Sequence, residues 1–183
     1  EKASTVLDKI KPEKKGKVKN VTRTEFRQSP PTPFDLTTLQ TEAYRTHGIS
    51  PSHTMEMAQS LYLDGAISYP RTSSQQLPPA IGYEKIIQDI SKQENYVTEC
   101  GMLLKRSKLL PNNGEKTDPA HPAIYPTGTI PTLKGREQMV YDLIVRRFLA
   151  TFGDPAVRAT VKIEIDVKGE TFSAKGTTTK EKG

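Results

Sequence analysis

The sequence predicts an α+β fold in which a helical domain is inserted between the two halves of a small β domain. Apolar and polar residues alternate near both ends of the chain, and this period is typical of β-strands. Helical spacing fills the middle, and segments rich in proline and glycine separate the two kinds of pattern. We therefore predict the first β half, with a basic N-terminal segment, at 1–31, the helical domain at 32–155 and the second β half at 156–183.

The β pattern is clearest at the C-terminal end of the chain. Between 157 and 168 apolar residues alternate strictly with polar ones, which predicts a strand with one buried face and one solvent-exposed face. Lys168-Gly169 suits a hairpin turn into a further strand. At the other end, residues 16–28 interleave Val, Thr and Phe with polar residues and are expected to form an exposed or edge strand. Residues 1–15 are charged and show no clear period.

Cap and stop residues delimit the helical middle. Three prolines within 29–34 exclude helix and central strand, so they mark the boundary. Good N-cap residues, an N1 proline and C-terminal glycines then predict where helices begin and end. Helices are expected at 35–48, 50–65, 79–91, 96–105 and, capped by Thr132, 133–151. The first two helices and an extended segment at 66–72 resemble a winged-helix arrangement, and a long loop is expected at 110–131.

Composition argues against several classes of protein. A single cysteine, Cys100, excludes an internal disulfide framework and a multi-cysteine zinc site. The three histidines have no metal-ligand spacing, and no Asp-x-Asp pair suits Mg²⁺. No apolar run approaches the ~20 residues of a membrane helix and no signal peptide is recognised, so a cytoplasmic location is expected. Because the sequence begins at Glu rather than Met, we expect a piece of a longer protein.

Positive charge is concentrated at the N-terminal end. The net charge is +6, and residues 1–28 hold nine Lys or Arg against four Asp or Glu. A basic segment attracts polyanions such as nucleic acid, although a solvated basic tail explains the same charge. Arg146 and Arg147 fall on the polar side of the last predicted helix, and we interpret them as a solvated face rather than as a contact to the DNA backbone.

The segment YPRT, residues 69–72, contains the residue types of a tyrosine nucleophile. Pro70 disfavours helix at Tyr69, and residues two apart in extended chain point the same way. Tyr69 and Arg71 are therefore expected on one face. A phenol with a pKa of about 10 is a poor nucleophile, but a nearby guanidinium favours the phenolate and can hold a phosphate oxygen. The alternative is an ordinary surface tyrosine beside a turn.

A second candidate residue, His121, lies in the stretch DPAHPAIYP of the long loop. Histidine is suited to moving protons near neutral pH, and its cation can bind phosphate. The alternative is a solvated loop histidine. His47 and His53 lie near predicted helix ends, so we interpret both as structural or exposed.

Four sequence blocks together resemble the type IA DNA topoisomerases and occur in that family's order. The blocks are PPTPFDLTTLQTEAYR, TMEMAQSLYLDGAISYPRTSS, HPAIYPT and YDLIVRRFLATF. The resemblance covers roughly residues 16–176, and its specificity comes from the four blocks together rather than from any short motif. The form of the YPRT block looks most like archaeal members. The resemblance implies a tyrosine-bearing helical domain attached to the β hinge of a toroid, whose opening makes a gate for DNA.

The same resemblance implies roles for individual residues. Tyr69 would attack a DNA phosphate and form a 5′-phosphotyrosine link, while Arg71 would position Tyr69 and the phosphate. His121 would contact the phosphate region, with Thr72 and Ser73 as further candidates for phosphate or DNA contacts. Family members often have Asp where this chain has Ser73, as a partner for the histidine, so a Ser73–His121 coupling is not expected to follow the family pattern.

Activity and partners also follow from the resemblance. Strand passage through the break and resealing would relax negative supercoils without ATP. The family binds Mg²⁺ in a Toprim domain N-terminal to this region, so no metal is expected within this chain. The expected partners are single-stranded or underwound DNA, the Toprim domain and the rest of the toroid, and no membrane. We therefore expect the isolated chain to bind DNA weakly and to relax none.

Three other classes of protein share some of these features. A non-catalytic, winged-helix-like module that only holds DNA would explain the charge and the order of elements, but not YPRT and HPAI in family order. Tyrosine recombinases need a His-x-x-Arg unit, and none of the three histidines begins one. A reverse gyrase contains the same topoisomerase core and a helicase-like part outside this region, so it remains an alternative.

Overall fold

The computed structural model describes residues 2–183, which divide into two compact units. One unit comprises the chain up to Ser29 together with Asp154–Gly183, and the other is Pro30–Gly153. The predicted boundaries after residues 31 and 155 lie two residues further along the chain. In chain order the elements are α1 (Lys2–Ile10), β1 (Lys17–Gln28), α2 (Leu36–His47), α3 (Pro51–Leu63), α4 (Tyr83–Ile90), α5 (Val97–Leu104), α6 (Gly135–Ala150), β2 (Ala156–Val167) and β3 (Glu170–Glu181), with 3₁₀ turns at Pro79–Ile81 and Glu94–Tyr96.

The three strands form one antiparallel sheet in the order β1-β2-β3. The predicted edge strand is β1, and every residue of it is exposed. Lys168 and Gly169 form the hairpin turn between β2 and β3, with φ of 54° and 85°. Positive φ suits Gly169 and a tight hairpin, and the Gly169 N–H also donates to Asp166 Oδ1 at 3.1 Å. The predicted strands and hairpin are therefore confirmed.

The predicted buried face of β2 is not buried. Its apolar residues share one side of the strand, but from Val157 to Val167 each is only partly covered, and the buried residue of β2 is Thr160 on the polar side. A sheet face is buried only where a second layer packs on it. The unit that contains the sheet also contains the helix α1, but α1 has no buried residue among those described, so it does not form such a layer. The alternating pattern thus predicted the strand correctly and its burial wrongly.

Residues 2–10 form a helix that the sequence did not indicate. The helix α1 covers Lys2–Ile10, where residues 1–15 showed no clear period. Val6 and Ile10 lie one turn apart and are partly covered, whereas Leu7 is 59 % exposed. With so few apolar positions, the helical period could not be distinguished from a charged coil.

The helical unit begins with two helices whose caps match the sequence. The Asp35 carboxylate accepts from the Thr38 N–H, and the Thr38 hydroxyl accepts from the Asp35 N–H, which completes a capping box at the start of α2. Gly48 ends α2 with φ of 65°, a left-handed conformation that glycine adopts without steric cost. Ser50 caps α3 through the His53 N–H, with Pro51 in the first turn. These predicted helix ends are confirmed.

A single apolar core holds the helical unit together. It is formed by one face of each helix and by the segments that connect them. Its largest fully buried side chains are Tyr96, Tyr141, Phe34, Phe148, Phe152, Leu39, Ile49, Leu61, Ile67, Leu77, Ile87 and Ile90. Two of these residues lie just outside the helix pair, with Phe34 before α2 and Ile67 after α3. Because Ile67 lies two residues before Tyr69, the core also anchors the segment that contains YPRT.

Three predicted features of the helical unit differ in the structure. The helix predicted at 79–91 is split, because Gly82 has φ of 77° between the 3₁₀ turn and α4. Thr132 is not the cap of the last helix, since α6 begins at Gly135 after Lys134. A winged helix also needs a hairpin wing, whereas the bridges described in Pro30–Gly153 are two isolated ones, Phe34–Ile124 and Ile67–Pro126. The winged-helix prediction is therefore not confirmed.

Arg146 and Arg147 are engaged within the protein rather than simply solvated. Arg147 stacks over the Phe34 ring at 4.1 Å and donates to the Thr32 carbonyl at 3.2 Å. Its Nη2 also lies 3.5 Å from a Glu42 oxygen. Arg146 pairs with Asp142 at 2.9 Å but stays 52 % exposed. The interpretation of both as a solvated face is thus wrong for Arg147, because a stripe pattern cannot show which neighbours a helix will meet.

Arg147→Lys is expected to destabilise the helical unit by about 1–2 kcal/mol, because an ammonium cannot stack flat on Phe34 and reach two acceptors at once. The free energy of unfolding would be measured by urea titration followed by circular dichroism. Arg146→Lys is the matched control, and its exposed ion pair should make it cost less than about 0.5 kcal/mol. Equal effects of the two variants would contradict a structural role for Arg147.

No helix in residues 2–183 combines the length and the apolar character that crossing a membrane requires.

Candidate active site

The segment that contains YPRT lies against a second connecting segment. We call residues 66–77 the tyrosine segment and residues 112–127 the histidine segment. The Ser68 N–H donates to the Tyr125 carbonyl at 2.9 Å, and the Tyr125 N–H donates to Ser68 Oγ at 3.0 Å. Ser68 Oγ in turn donates to the Ala123 carbonyl at 3.2 Å. This exchange brings residues more than fifty positions apart in sequence side by side.

Further main-chain bonds join the two segments at the other end of the tyrosine segment. The Gln75 N–H donates to the Lys116 carbonyl at 2.9 Å, and the Gly114 N–H donates to the Gln75 carbonyl at 3.0 Å. The Ala123 N–H donates to the Gln76 carbonyl at 2.9 Å. The long loop predicted at 110–131 therefore has little regular secondary structure, but hydrogen bonds hold it to the tyrosine segment at several points. Such bonds are needed because buried backbone N–H and C=O groups must find partners.

Tyr69 and His121 meet at the centre of this paired region. Their ring centroids are 4.6 Å apart with an interplanar angle of 49°. Both side chains are partly buried, so each keeps an accessible edge. Tyr62, at the end of α3, makes an edge-to-face contact with Tyr69 at 5.2 Å and is 39 % exposed. The sequence analysis assigned Tyr62 to a helix and gave it no role in the site. Its position seven residues before Tyr69, at the end of that helix, was the available signal.

The remaining candidates in YPRT divide into an exposed residue and a buried one. Arg71 is exposed, so its guanidinium is accessible to a ligand. Thr72 is 4 % exposed, and its hydroxyl donates to the His121 carbonyl at 3.4 Å and accepts from the Ser74 N–H at 3.0 Å. The Leu36 N–H donates to the Thr72 carbonyl at 3.0 Å. Thr72 therefore ties the tyrosine segment to the His121 backbone.

Ser73 meets a carboxylate that the sequence interpretation did not single out. Asp118 Oδ2 lies 3.4 Å from the Ser73 nitrogen and 3.3 Å from its hydroxyl. Asp118 Oδ1 accepts from the N–H groups of Ala120 and His121 at 2.9 and 3.1 Å. These hydrogen bonds, first from Ala120 and then from His121, hold the pKa of Asp118 below its ordinary value. A turn signal was available in Asp118-Pro-Ala-His, since Asp commonly accepts from N–H groups two and three residues ahead.

A buried acidic group lies beneath both segments. Asp35 is 2 % exposed, and its Oδ2 accepts from Lys116 Nζ at 3.0 Å and from Gln75 Nε2 at 3.1 Å. Burial alone would raise the pKa of Asp35, but the hydrogen bonds from Thr38 and Lys116 outweigh it, so the pKa is lowered. The sequence indicated only the cap role of Asp35. Its side chain also links α2 to the tyrosine and histidine segments.

The arrangement combines a phenol, an imidazole and an exposed guanidinium, but it has no metal cage. Such a set suits nucleophilic attack on a phosphodiester, because cationic or hydrogen-bonding groups can hold phosphate oxygens near the phenol. Among residues 2–183, no three His, Cys, Asp or Glu side chains lie close enough together to hold a metal ion.

Comparisons with known proteins point to one family. The family model described as "DNA topoisomerase" matches residues 1–183. "DNA topoisomerase 1" of Methanothermobacter thermautotrophicus is 49 % identical over 157 residues, covering 85 % of this chain and 22 % of the relative. "DNA topoisomerase 1" of Pyrococcus horikoshii is 48 % identical over 170 residues, covering 91 % of this chain and 25 % of the relative. The chain thus spans about a quarter of the length of these curated relatives.

A solved structure agrees with the sequence comparisons. Full-length topoisomerase I from Thermotoga maritima superposes with a TM-score of 0.62 at 28 % identity, over 97 % of this chain and 30 % of that chain. The resemblance that the four sequence blocks predicted is therefore confirmed. The chain belongs to the type IA DNA topoisomerase family.

Proposed function

We propose that this chain is the part of a type IA DNA topoisomerase that supplies the tyrosine nucleophile for transient cleavage of one DNA strand. The observation that carries the proposal is the contact between Tyr69 and His121, 4.6 Å between ring centroids, in a chain that belongs to this family. The two residues come from separate segments, so their meeting is a product of the fold. An accessible Arg71 two residues from Tyr69 completes a site suited to a phosphate ester.

The proposed reaction is a reversible transesterification. Tyr69 Oη attacks the phosphorus, the new phenol ester holds the 5′ side of the break, and the bond to the 3′ oxygen of the preceding nucleotide breaks. The phenol loses its proton and the leaving 3′ oxygen gains one, so a free 3′-hydroxyl results. Attack by that hydroxyl restores the strand, and the phosphotyrosine link conserves the bond energy, which is why no ATP is needed.

Arg71 and His121 are proposed to bind the phosphate during this exchange. A guanidinium can hold two phosphate oxygens in a fixed geometry. An imidazole beside the phenol can donate a hydrogen bond to a phosphate oxygen or pass a proton. Thr72 and Ser73, also predicted as phosphate or DNA contacts, have hydroxyl groups bonded within the protein. We therefore propose that those two residues fasten the site rather than bind the phosphate.

The whole reaction is proposed to need parts outside this chain. The family resemblance implies that Mg²⁺ is held by a Toprim domain, which would supply electrostatic stabilisation at the phosphate, and that a toroid guides the second strand. Single-stranded or underwound DNA is the proposed substrate, and relaxation of negative supercoils the proposed outcome. Accordingly, the isolated chain should bind DNA weakly and relax no supercoiled plasmid, and relaxation by the isolated chain would contradict this division of labour.

The proposal is tested by trapping the covalent intermediate. The full-length protein that contains this chain would be incubated with Mg²⁺ and single-stranded oligonucleotide labelled differently at its two ends, quenched with denaturant, and mapped by peptide mass spectrometry. An adduct on Tyr69 that retains the 5′-phosphate side is expected. An adduct with the 3′-phosphate side would indicate another class of tyrosine enzyme, and DNA binding without any adduct would favour the non-catalytic binding module. ATP-dependent positive supercoiling would indicate a reverse gyrase.

A further inference from the structure

The two segments of the candidate site are joined differently at their ends and in their middle. Main-chain hydrogen bonds join them on both sides of the nucleophile, from Ser68 to Tyr125 on one side and, on the other, from Gln75 to Lys116 and from Ala123 to Gln76, each at 2.9 Å. Between these two points lie residues 69–74, the part that contains the nucleophile. Within the part of the chain that the structure describes, the hydrogen bonds from 69–74 to the histidine segment all use a side chain of one partner or the other.

One carboxylate bonds to both segments in this middle region. Asp118 Oδ1 receives the N–H groups of Ala120 and His121 at 2.9 and 3.1 Å, which closes a turn within the histidine segment. Its other oxygen, Oδ2, faces the Ser73 N–H at 3.4 Å and the Ser73 hydroxyl at 3.3 Å. The same hydroxyl also lies 3.3 Å from the Thr117 carbonyl. The two oxygens of Asp118 therefore divide between the two segments.

This placement puts the carboxylate between the two turns that carry the rings. Asp118 is three residues before His121, and Ser73 is four residues after Tyr69. The ring contact of Tyr69 and His121 is not enforced by any covalent or main-chain link between them, so it depends on how the segments are held. Attack on phosphorus demands that the phenol and the phosphate-binding groups be placed to within a fraction of an ångström.

We propose that Asp118 is a positioning residue that holds the Tyr69 turn and the His121 turn in register for attack on the phosphate. The proposal rests on the proposed function, because it assigns Asp118 a part in that reaction. Asp118 does not touch the reacting atoms. It acts through Ser73 on one side and through the His121 backbone on the other, where an ionised acceptor makes stronger hydrogen bonds than a neutral one.

Asp118→Asn separates the two halves of this contact. An asparagine keeps one acceptor oxygen, so it can still close the turn with the Ala120 and His121 N–H groups. The other end becomes an NH₂ group, which faces the Ser73 N–H donor to donor and can reach Ser73 only by donating to its hydroxyl oxygen. The variant therefore retains the turn within the histidine segment and loses the bond from the Ser73 N–H, without removing volume.

In the full-length protein, Asp118→Asn is expected to slow single-turnover cleavage of a labelled oligonucleotide by roughly tenfold. Binding of the same oligonucleotide should stay within about twofold, because Asp118 contributes no positive charge to the phosphate backbone. Thermal unfolding should be unchanged. Asp89→Asn is the matched control, since Asp89 is also a hydrogen-bonded carboxylate with a lowered pKa, but its partners are Lys92 and Lys85 on its own helix and turn. It should cleave like the unmodified protein.

A double-mutant cycle with Ser73→Ala tests whether Asp118 acts through Ser73. Ser73→Ala alone should slow cleavage by roughly twofold to threefold, and adding it to Asp118→Asn should change the rate little further, because coupled residues are not additive. If the double variant instead slows cleavage by the product of the two single effects, the residues act independently and the proposal is overturned. If Asp118→Asn lowers the unfolding temperature, Ser73→Ala becomes the deciding variant, and a rate equal to that of the unmodified protein would overturn the proposal.

The outcomes also separate this proposal from the proposed function. A normal cleavage rate in Asp118→Asn, with no cleavage in Tyr69→Phe, would overturn the positioning role and leave the nucleophile in place. A covalent adduct that persists in Tyr69→Phe would overturn the proposed function, and the role of Asp118 with it. Slower cleavage in Asp118→Asn with equally weakened DNA binding would also overturn the positioning role, because it would indicate a binding residue.

Discussion

Tyr69→Phe in the full-length protein is expected to abolish covalent cleavage of single-stranded DNA and relaxation of plasmid, while oligonucleotide binding stays within about twofold. The reason is chemical. Phenylalanine keeps the ring contacts with His121 and Tyr62 but has no oxygen to form the phosphate ester. Loss of a covalent nucleophile costs a factor of about 10⁴ or more in rate, whereas uniform binding contacts affect affinity instead. Cleavage would be followed by denaturing gel electrophoresis of labelled oligonucleotide, and binding by fluorescence anisotropy.

The control for this substitution is Tyr44→Phe. Tyr44 lies in α2 of the same unit, is 64 % exposed and has no role in the site. It should cleave at the rate of the unmodified protein, which would show that loss of a phenol is not harmful in itself. Residual cleavage by Tyr69→Phe, above the trace expected from misincorporation, would mean that another residue is the nucleophile. A sharp loss of DNA binding in Tyr69→Phe would favour the module that only holds DNA.

Local chemistry made much of the fold predictable. Asp35, Gly48 and Ser50 mark helix ends because each satisfies a specific backbone requirement, and the structure confirms those ends. The hairpin at Lys168-Gly169 follows from the same local logic. Burial was less predictable, because it depends on what lies opposite an element. Hence the apolar side of β2 was wrongly expected to be covered.

The candidate site shows the same division between local and long-range information. Periodicity could place Tyr69 in extended chain and His121 in a loop, but their meeting depends on hydrogen bonds between segments about fifty residues apart. From the sequence, only the resemblance to a family indicated that Tyr69 and His121 belong to one site. The turn that Asp118 makes with His121 is local and could be predicted, but its bond to Ser73 joins distant segments and could not. For that reason the sequence did not indicate Asp118 as part of the site. A residue whose two oxygens serve different segments leaves no periodic signal.

Asp35→Ala is expected to lower the free energy of unfolding of the helical unit by about 3 kcal/mol. The substitution removes the N-cap of α2, which costs about 1 kcal/mol. It also leaves the partly buried Gln75 amide and Thr38 N–H without their acceptor, and unmet donors cost about 1–3 kcal/mol, whereas the exposed Lys116 can bond to water. Unfolding in urea would be followed by circular dichroism, which the helices α2 to α6 dominate. Asp64→Ala, at an exposed helix end, should change stability by less than about 0.5 kcal/mol.

The pH dependence of the Asp35 contribution has a defined sign. Because the pKa of Asp35 is lower in the folded protein than in the unfolded chain, the folded state favours the ionised form. The contribution is fully present above the unfolded pKa of about 3.9 and is lost as the pH falls through the lower folded value. Asp35→Asn keeps a good N-cap but cannot ionise, so it should cost about 1 kcal/mol at neutral pH and lose less stability on acidification than the unmodified protein.

Asp35 also connects stability to the site, and comparison of its two variants tests that connection. Lys116 and Gln75, which share its Oδ2, belong to the histidine and tyrosine segments respectively. If this buried carboxylate supports their pairing, Asp35→Ala should slow DNA cleavage more than Asp35→Asn does, even at a temperature where both are folded. Equal cleavage by the two variants, despite unequal stability, would mean that the main-chain bonds of Gln75 suffice to hold the segments and that Asp35 serves only α2.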